Sequence, residues 1–306
     1  MVSRVFIVLS AALVILGLTA ISAEATWSVV AVDEETGEVG VAVASCVGFE
    51  VTVVPILVPG VGAGASQANI SKHSGQRMVD ALASGASAQE TIDAVVDADD
   101  GMEERQFGAV VLGDAGAGWT GGDTLNVAVD RRSDDGTVAV QGNILVSQDV
   151  VDASISAFDA ADGQLADRLI AGLVAGADAG GDARCGDQTA TAAALVVARP
   201  GDQNYAYTDT TPLGPNPDTD PVPSVFVSVL VEKGGVRAPD ELAEVWAAAD
   251  QDAPSIAIRQ IEPGADTAVQ GSGTIVVVLL GIVFLGALVV AGLLIFTRNR
   301  VKANTD

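Results

Sequence analysis

The hydrophobic period of this chain changes in blocks, and that grouping constrains the fold more than any single motif. β-rich runs at 27–32 (WSVVAV) and 38–45 (EVGVAVAS) flank the turn DEETG, where Gly37 supplies the backbone freedom a hairpin needs. Two more apolar runs follow at 51–58 and 60–67, the second rich in glycine. The period then moves from two to 3.6. Arg77, Met78, Ala81 and Leu82 share one helix face within 73–84, and Gly85 stands just past the end. Ser87 to Glu90 (SAQE) reads as a capping box opening a second helix through Val95 and Val96. Strands are predicted at 105–112, 116–121 and 137–142, then helices over 148–160 and 164–178, the latter with Leu165, Leu169 and Leu173 in step. Strands near 190–198, 204–209 and 224–231 precede a last helix opened by Pro239, Asp240 and Glu241. Strands grouped with strands and helices with helices predict layered α+β rather than a parallel α/β sheet.

The two ends carry different signals. Arg4 and a long apolar run precede Ala23 and Ala25, an A-x-A-like site, so residues 1–25 read as a secretory signal with Thr26 first after the cut. An uncleaved signal-anchor helix is the other reading of that segment. Thr274 to Phe296 holds no charge, and as a helix its 23 residues would span about 34 Å, enough for a hydrocarbon core of about 30 Å. Arg298, Arg300 and Lys302 follow it, which would keep the C-terminus cytoplasmic. The expected organisation is a signal at 1–25, an ectodomain at 26–250, a linker at 251–273, a transmembrane helix at 274–296 and a tail at 297–306. The protein would be a single-pass membrane protein with its ectodomain outside. Residues 208–224, rich in proline and aspartate, read as a surface insertion.

Charge removes some partners. Forty acids against 15 bases give −25, and only Lys72, Lys233 and Lys302 are lysines. Such a surface repels nucleic acid and anionic lipid. It suits a high-salt setting, where screening suppresses self-repulsion, although GC-rich coding also yields alanine-, valine- and aspartate-rich chains. Cys46 and Cys185 are the only cysteines. In an exported chain they read as one disulfide, with two buried thiols or a nucleophilic Cys46 as the alternatives.

A Thr26 N-terminus would matter chemically. A threonine hydroxyl is a weak nucleophile until a base removes its proton, and a free α-amine with a pKa of about 7.7–8.0 lies within reach of it. One residue then supplies nucleophile and base. The alternative is an ordinary first strand residue. Other chemistries have less support. His73 is the sole histidine, so a Ser-His-Asp triad can involve no other, and it reads as a solvated side chain beside Lys72. One histidine and two cysteines leave little for zinc. Asp134 with Asp135, and Asp218 with Asp220, lack the spacing of an EF-hand calcium loop. No P-loop or dinucleotide fingerprint is present, so no cofactor is expected.

The segments TWSVVAVDEETGEVGVAVASC, VPGVGAGASQA, RQFGAVV, WTGGD, QGNIL and GGDARC occur in this order, and with them the chain resembles the domain of unknown function 1028 family over about residues 26–250. The resemblance implies the αββα sandwich of N-terminal nucleophile (Ntn) hydrolases, agreeing with the element order read above. It matches Thr26 to the family's N-terminal threonine, Ser45 to the serine closing the second strand, and Gln67 to the glutamine after the glycine-rich strand. It also matches Arg77 at the first helix, Asn143 of QGNIL, Asp182 and Arg184 of the GxDxR loop, and Cys46 with Cys185 as paired cysteines. The sequence departs from the family pattern at Lys72 and His73, in WTGGDT without a further cysteine, and in the 208–224 insertion.

The resemblance implies a mouth between two sheets gathering Thr26, Ser45, Gln67 and Asn143. There Asn143 or a backbone N–H would hold an oxyanion, Ser45 would orient the α-amine, and Arg77 or Arg184 would fork onto a substrate carboxylate. Each has a structural alternative: Asn143 making a turn, Asp182 and Arg184 tying down a loop, Gln67 satisfying buried backbone. The function expected is an Ntn-type amidohydrolase of a small or peptide-like extracellular substrate. The alternative is a catalytically silent surface domain used for binding or assembly. A homo-oligomer is left open.

Overall fold

The computed structural model describes residues 25–208, 223–249, 255–261 and 276–278. Strands β1 (Thr26–Val32) and β2 (Val39–Ser45) form a hairpin whose turn carries Gly37 at φ 72°, while Asp33 Oδ1 accepts the Glu35 and Thr36 N–H groups at 2.9 Å each. The apolar run at 51–58 divides. A single 3-10 turn at Val51–Val53 leads into β3 (Pro55–Val58), with its proline at the first residue of an edge strand, where no ladder bond is lost. β4 (Gly62–Ala68) follows, then helices α1 (Lys72–Ala83) and α2 (Ala88–Val96), the latter opened by the Ser87–Glu90 capping box.

Next come β5 (Arg105–Val111), β6 (Ala117–Thr120), β7 (Val127–Arg132) and β8 (Val138–Leu145). β7 was not anticipated, because VAVDRR is short and ends in charge. Helices α3 (Asp149–Ala160) and α4 (Leu165–Asp178) precede β9 (Ala192–Ala198), β10 (Val225–Val231), α5 (Ala238–Ala247), β11 (Ser255–Ile261) and β12 (Val276–Val278). The strand expected at 204–209 is reduced to one bridge between Leu57 and Tyr205.

Two sheets result. Eight strands run in the order β12-β11-β10-β9-β2-β1-β8-β7, and four in the order β3-β4-β5-β6. Pairing is antiparallel except for β10–β11 and β11–β12. Period-two alternation sorts the side chains. Trp27, Val29 and Ala31 of β1 pack with α3 and α4, while Val30 and Val32 face Leu57, Ala63, Ala65 and Val110 of the smaller sheet. Phe107 and Ala109 turn outward beneath Met78 and Leu82 of α1. Helix α4 comes very near β1, since a Cβ on Gly176 would stand 2.7 Å from Trp27 Nε1. That contact, and the bond from Trp27 Nε1 to Leu173 O at 3.3 Å, fix the start of β1.

The fold class expected from the sequence, an αββα sandwich of the Ntn type completed by a transmembrane helix, is corrected here to a mixed α/β fold with two sheets of unequal size. Val276–Val278 lies inside the run expected to span a membrane, yet it forms β12 beside β11, with Ala257 opposite Val276. Among the described residues no helix is long and apolar enough to cross a membrane. The physical reason is local: three consecutive valines favour extended backbone, so apolar length alone does not specify a helix. The remainder of 274–296, residues 1–24 of the signal read at 1–25, most of the 208–224 insertion and the tail lie outside the described residues. Within the stretch read as a linker, β11 joins the large sheet.

Candidate active site

Strand register brings three of the expected residues into one row. Thr26 lies opposite Ser45 on β2 and opposite Asn143 on β8, and this row faces the smaller sheet. All three are buried, at 2 %, 1 % and 1 % exposure. Thr26 Oγ1 donates to Ser45 Oγ at 3.4 Å, and Ser45 Oγ donates in turn to the carbonyl of Ala25.

A layer of amides closes the site from behind. Gln67 Nε2 donates to Thr26 O at 3.2 Å, to Gln141 O at 3.3 Å and to Gln106 Oε1 at 2.8 Å, while Gln67 Oε1 accepts the Ser28 hydroxyl at 2.7 Å. Gln106 Nε2 reaches Gly142 O at 2.9 Å and Thr120 Oγ1 at 3.0 Å. Asn143 Nδ2 donates to Gln106 Oε1 at 3.2 Å, and Gln141 Nε2 donates to Ser28 Oγ. Gln67 therefore bonds two backbone carbonyls of the large sheet as well as two side chains. Such a buried network stiffens its members, because every lost bond would leave a desolvated partner.

The loop after α4 supplies the charge. Asp182 is fully buried and takes Arg184 Nε at 3.1 Å and Nη2 at 2.8 Å, so the arginine fork is directed at Asp182. Asp182 also accepts the N–H of Cys46 at 2.7 Å and of Arg184 at 2.9 Å. Arg184 Nη2 reaches beyond this pair to Ala25 O at 3.0 Å. Cys46 and Cys185 are disulfide-bonded, with Cα atoms 5.7 Å apart. Each donor onto the Ala25 carbonyl, Ser45 and Arg184, thus immediately precedes one of the bridged cysteines. On the loop after Cys46, burial pushes the Glu50 carboxyl above the usual range.

Other residues weighed in the sequence lie elsewhere. Arg77 and His73 are exposed on α1, which covers the outer face of the smaller sheet. Asp135 accepts Ser133 Oγ at 2.6 Å and the Thr137 N–H at 3.0 Å within a surface turn. Among the described residues no group of three or more His, Cys, Asp or Glu is arranged to hold a metal ion. Ser28, Gln106 and Gln141 belong to the site but were not singled out from the sequence. Their signal was available, since Ser28 and Gln141 stand two residues from Thr26 and Asn143 and so share their faces. Ala68 at φ 69° and Ile144 at φ 51° directly follow Gln67 and Asn143. A β-branched residue in that region is strained, and such strain gathers at sites that need fixed geometry.

With residue 25 attached, Thr26 N is an amide nitrogen and has no basicity. With Thr26 first, that nitrogen becomes an amine beside its own hydroxyl.

A family model described as "Family of unknown function (DUF1028)" matches residues 26–213. Among solved structures, a protein of that family from Silicibacter pomeroyi aligns with a TM-score of 0.56 and 24% identity, over 73% of this chain and 85% of that one. That likeness is one of fold. No curated protein matches the chain.

Proposed function

The chain belongs to the DUF1028 family, and from that premise and the geometry around Thr26 we propose that it is an amide-bond hydrolase with Thr26 as nucleophile once residues 1–25 are removed. The observation carrying this reading is the buried row Ser45–Thr26–Asn143, with the Thr26 and Ser45 hydroxyls 3.4 Å apart. In the proposed reaction the Thr26 amine takes the Oγ proton as Oγ bonds to the substrate's amide carbon. The amine then returns that proton to the departing nitrogen as the C–N bond breaks. Water attacks the resulting ester by the reverse sequence, releasing an acid and restoring Thr26. Asn143 and the Ser45 hydroxyl are the candidates to stabilise the oxyanion, a role worth about 3–4 kcal/mol per donor in other enzymes. The substrate is a small or peptide-like amide, met outside the cytoplasm where Cys46–Cys185 stays oxidised.

A second reading has its own observation. The Ala25 carbonyl fills the space between Ser45 and Arg184, so a chain that keeps residue 25 is a silent binding domain. N-terminal sequencing and intact mass of the native protein separate the two. A start at Thr26 with a free amine, together with amide hydrolysis lost in Thr26→Ala, supports the enzyme. A start elsewhere, or full turnover in Thr26→Ala, overturns it.

A further inference from the structure

Two donors converge on one atom at the head of β1. Ser45 Oγ and Arg184 Nη2 both bond the carbonyl oxygen of Ala25, and Ala25 itself is fully buried. We infer that, in a chain beginning at Thr26, this cradle is a subsite for a small carboxylate of alanine size, and that the enzyme therefore retains the acid it releases. The inference rests on the reading that Thr26 becomes the first residue.

Removal of Ala25 changes charge as well as space. Asp182 and Arg184 balance each other, joined by bonds of 3.1 and 2.8 Å. A new α-amine at Thr26 adds one positive charge below its pKa, so the local set favours a single monoanion. A carboxylate oxygen in place of the Ala25 oxygen accepts the same hydroxyl and guanidinium donors. It gains strength because these become charge-assisted bonds. The α-substituent of the bound acid would take the position of the buried Ala25 methyl group, which sets alanine as the size to test.

The negative surface of the protein opposes anions at long range, but that field is screened over a Debye length of about 10 Å at 0.1 M salt. Contact bonds inside a buried cradle are screened far less. Affinity for the carboxylate should therefore rise from low to moderate salt.

The test uses protein whose mass shows Thr26 first, titrated with N-acetyl-L-alanine in a calorimeter. Binding is expected, with a loss of at least tenfold for the neutral N-acetyl-L-alanine amide and for N-acetyl-L-phenylalanine. Ser45→Ala keeps the strand and removes one donor, and about a tenfold loss is expected from it. Arg184→Lys is the second variant, since it leaves Asp182 a cation while breaking the fork. Thr26→Ala at the same N-terminus keeps the amine and the cradle. It should bind N-acetyl-L-alanine while hydrolysing nothing, so the fate of the subsite is read separately from that of the hydrolase. No binding by the Thr26-first protein, or equal binding of acid and amide, overturns the inference.

Discussion

Gln67 and Gln106 stand directly opposite each other on β4 and β5, and Gln67 Nε2 donates to Gln106 Oε1 at 2.8 Å. Both amides also reach across to carbonyls of the large sheet, at Thr26, Gln141 and Gly142. Two neutral side chains on the small sheet thus hold the strand ends that present Thr26 and Asn143.

Gln67→Ala is expected to destabilise the protein by about 2–3 kcal/mol, because it strands the Ser28 hydroxyl and several acceptors in a buried layer. Denaturant unfolding measures this. A change within 0.5 kcal/mol would mean that water replaces the amide without cost.

Gly108 faces the network from β5, and a Cβ there would lie 1.9 Å from Gln141 Oε1. Gly108→Ala should cost about 1–3 kcal/mol through overpacking. Adding Gln141→Ala removes the obstruction, so the double variant should be less destabilised than the sum of the singles. Additive losses would place the strain elsewhere.

The bridge from Cys46 to Cys185 closes a separation of 139 residues. Removing it with Cys46→Ala/Cys185→Ala should cost up to about 5 kcal/mol by restoring freedom to the unfolded chain. Because Ser45 and Arg184 adjoin the two cysteines, affinity for N-acetyl-L-alanine should fall in the same variant under conditions where it remains folded. Calorimetry after thermal melting checks both effects.

The Glu50 carboxyl is raised above its ordinary value because the side chain is partly buried and desolvated. A carboxyl whose folded pKa exceeds its unfolded value holds more proton in the native state, so it favours folding at low pH. That contribution is lost as pH rises through the folded value. Glu50→Gln should therefore raise the melting temperature more at pH 7 than at pH 4. An equal shift at both pH values would remove the ionisation account.

Much of the fold was legible because propensity and period agreed. The Ser87–Glu90 box, Gly85 after α1 and the leucine spacing of α4 all marked elements that form within one or two residues of the expected bounds. β7 and β12 were not legible. VAVDRR is paired only because β8 offers an edge, and VVV lay within a run whose length suggested a different structure. At the site, Thr26 was legible from the Ala23/Ala25 cleavage pattern and Ser45, Gln67 and Asn143 from family motifs, whereas the shared row of Thr26, Ser45 and Asn143 depends on which strands become neighbours. Ser28, Gln106 and Gln141 were missed because a polar residue inside an apolar strand was not treated as a signal. Arg77 lies exposed on α1 over the outer face of the smaller sheet, a position its sequence did not specify because a helix start says nothing about which side of a sheet the helix covers.

The space between the sheets is sealed by Val30, Val41, Leu57 and Val110 along one part and laced by amides along another. Small side chains such as Ala63, Ala65, Ala139 and Ala194 set how closely the two plates approach. The arrangement works as a lever. A methylene added among those alanines would overpack the layer and press the plates apart, so the spacing across which Gln67 and Gln106 reach the large sheet is set by residues that take no part in the chemistry at Thr26.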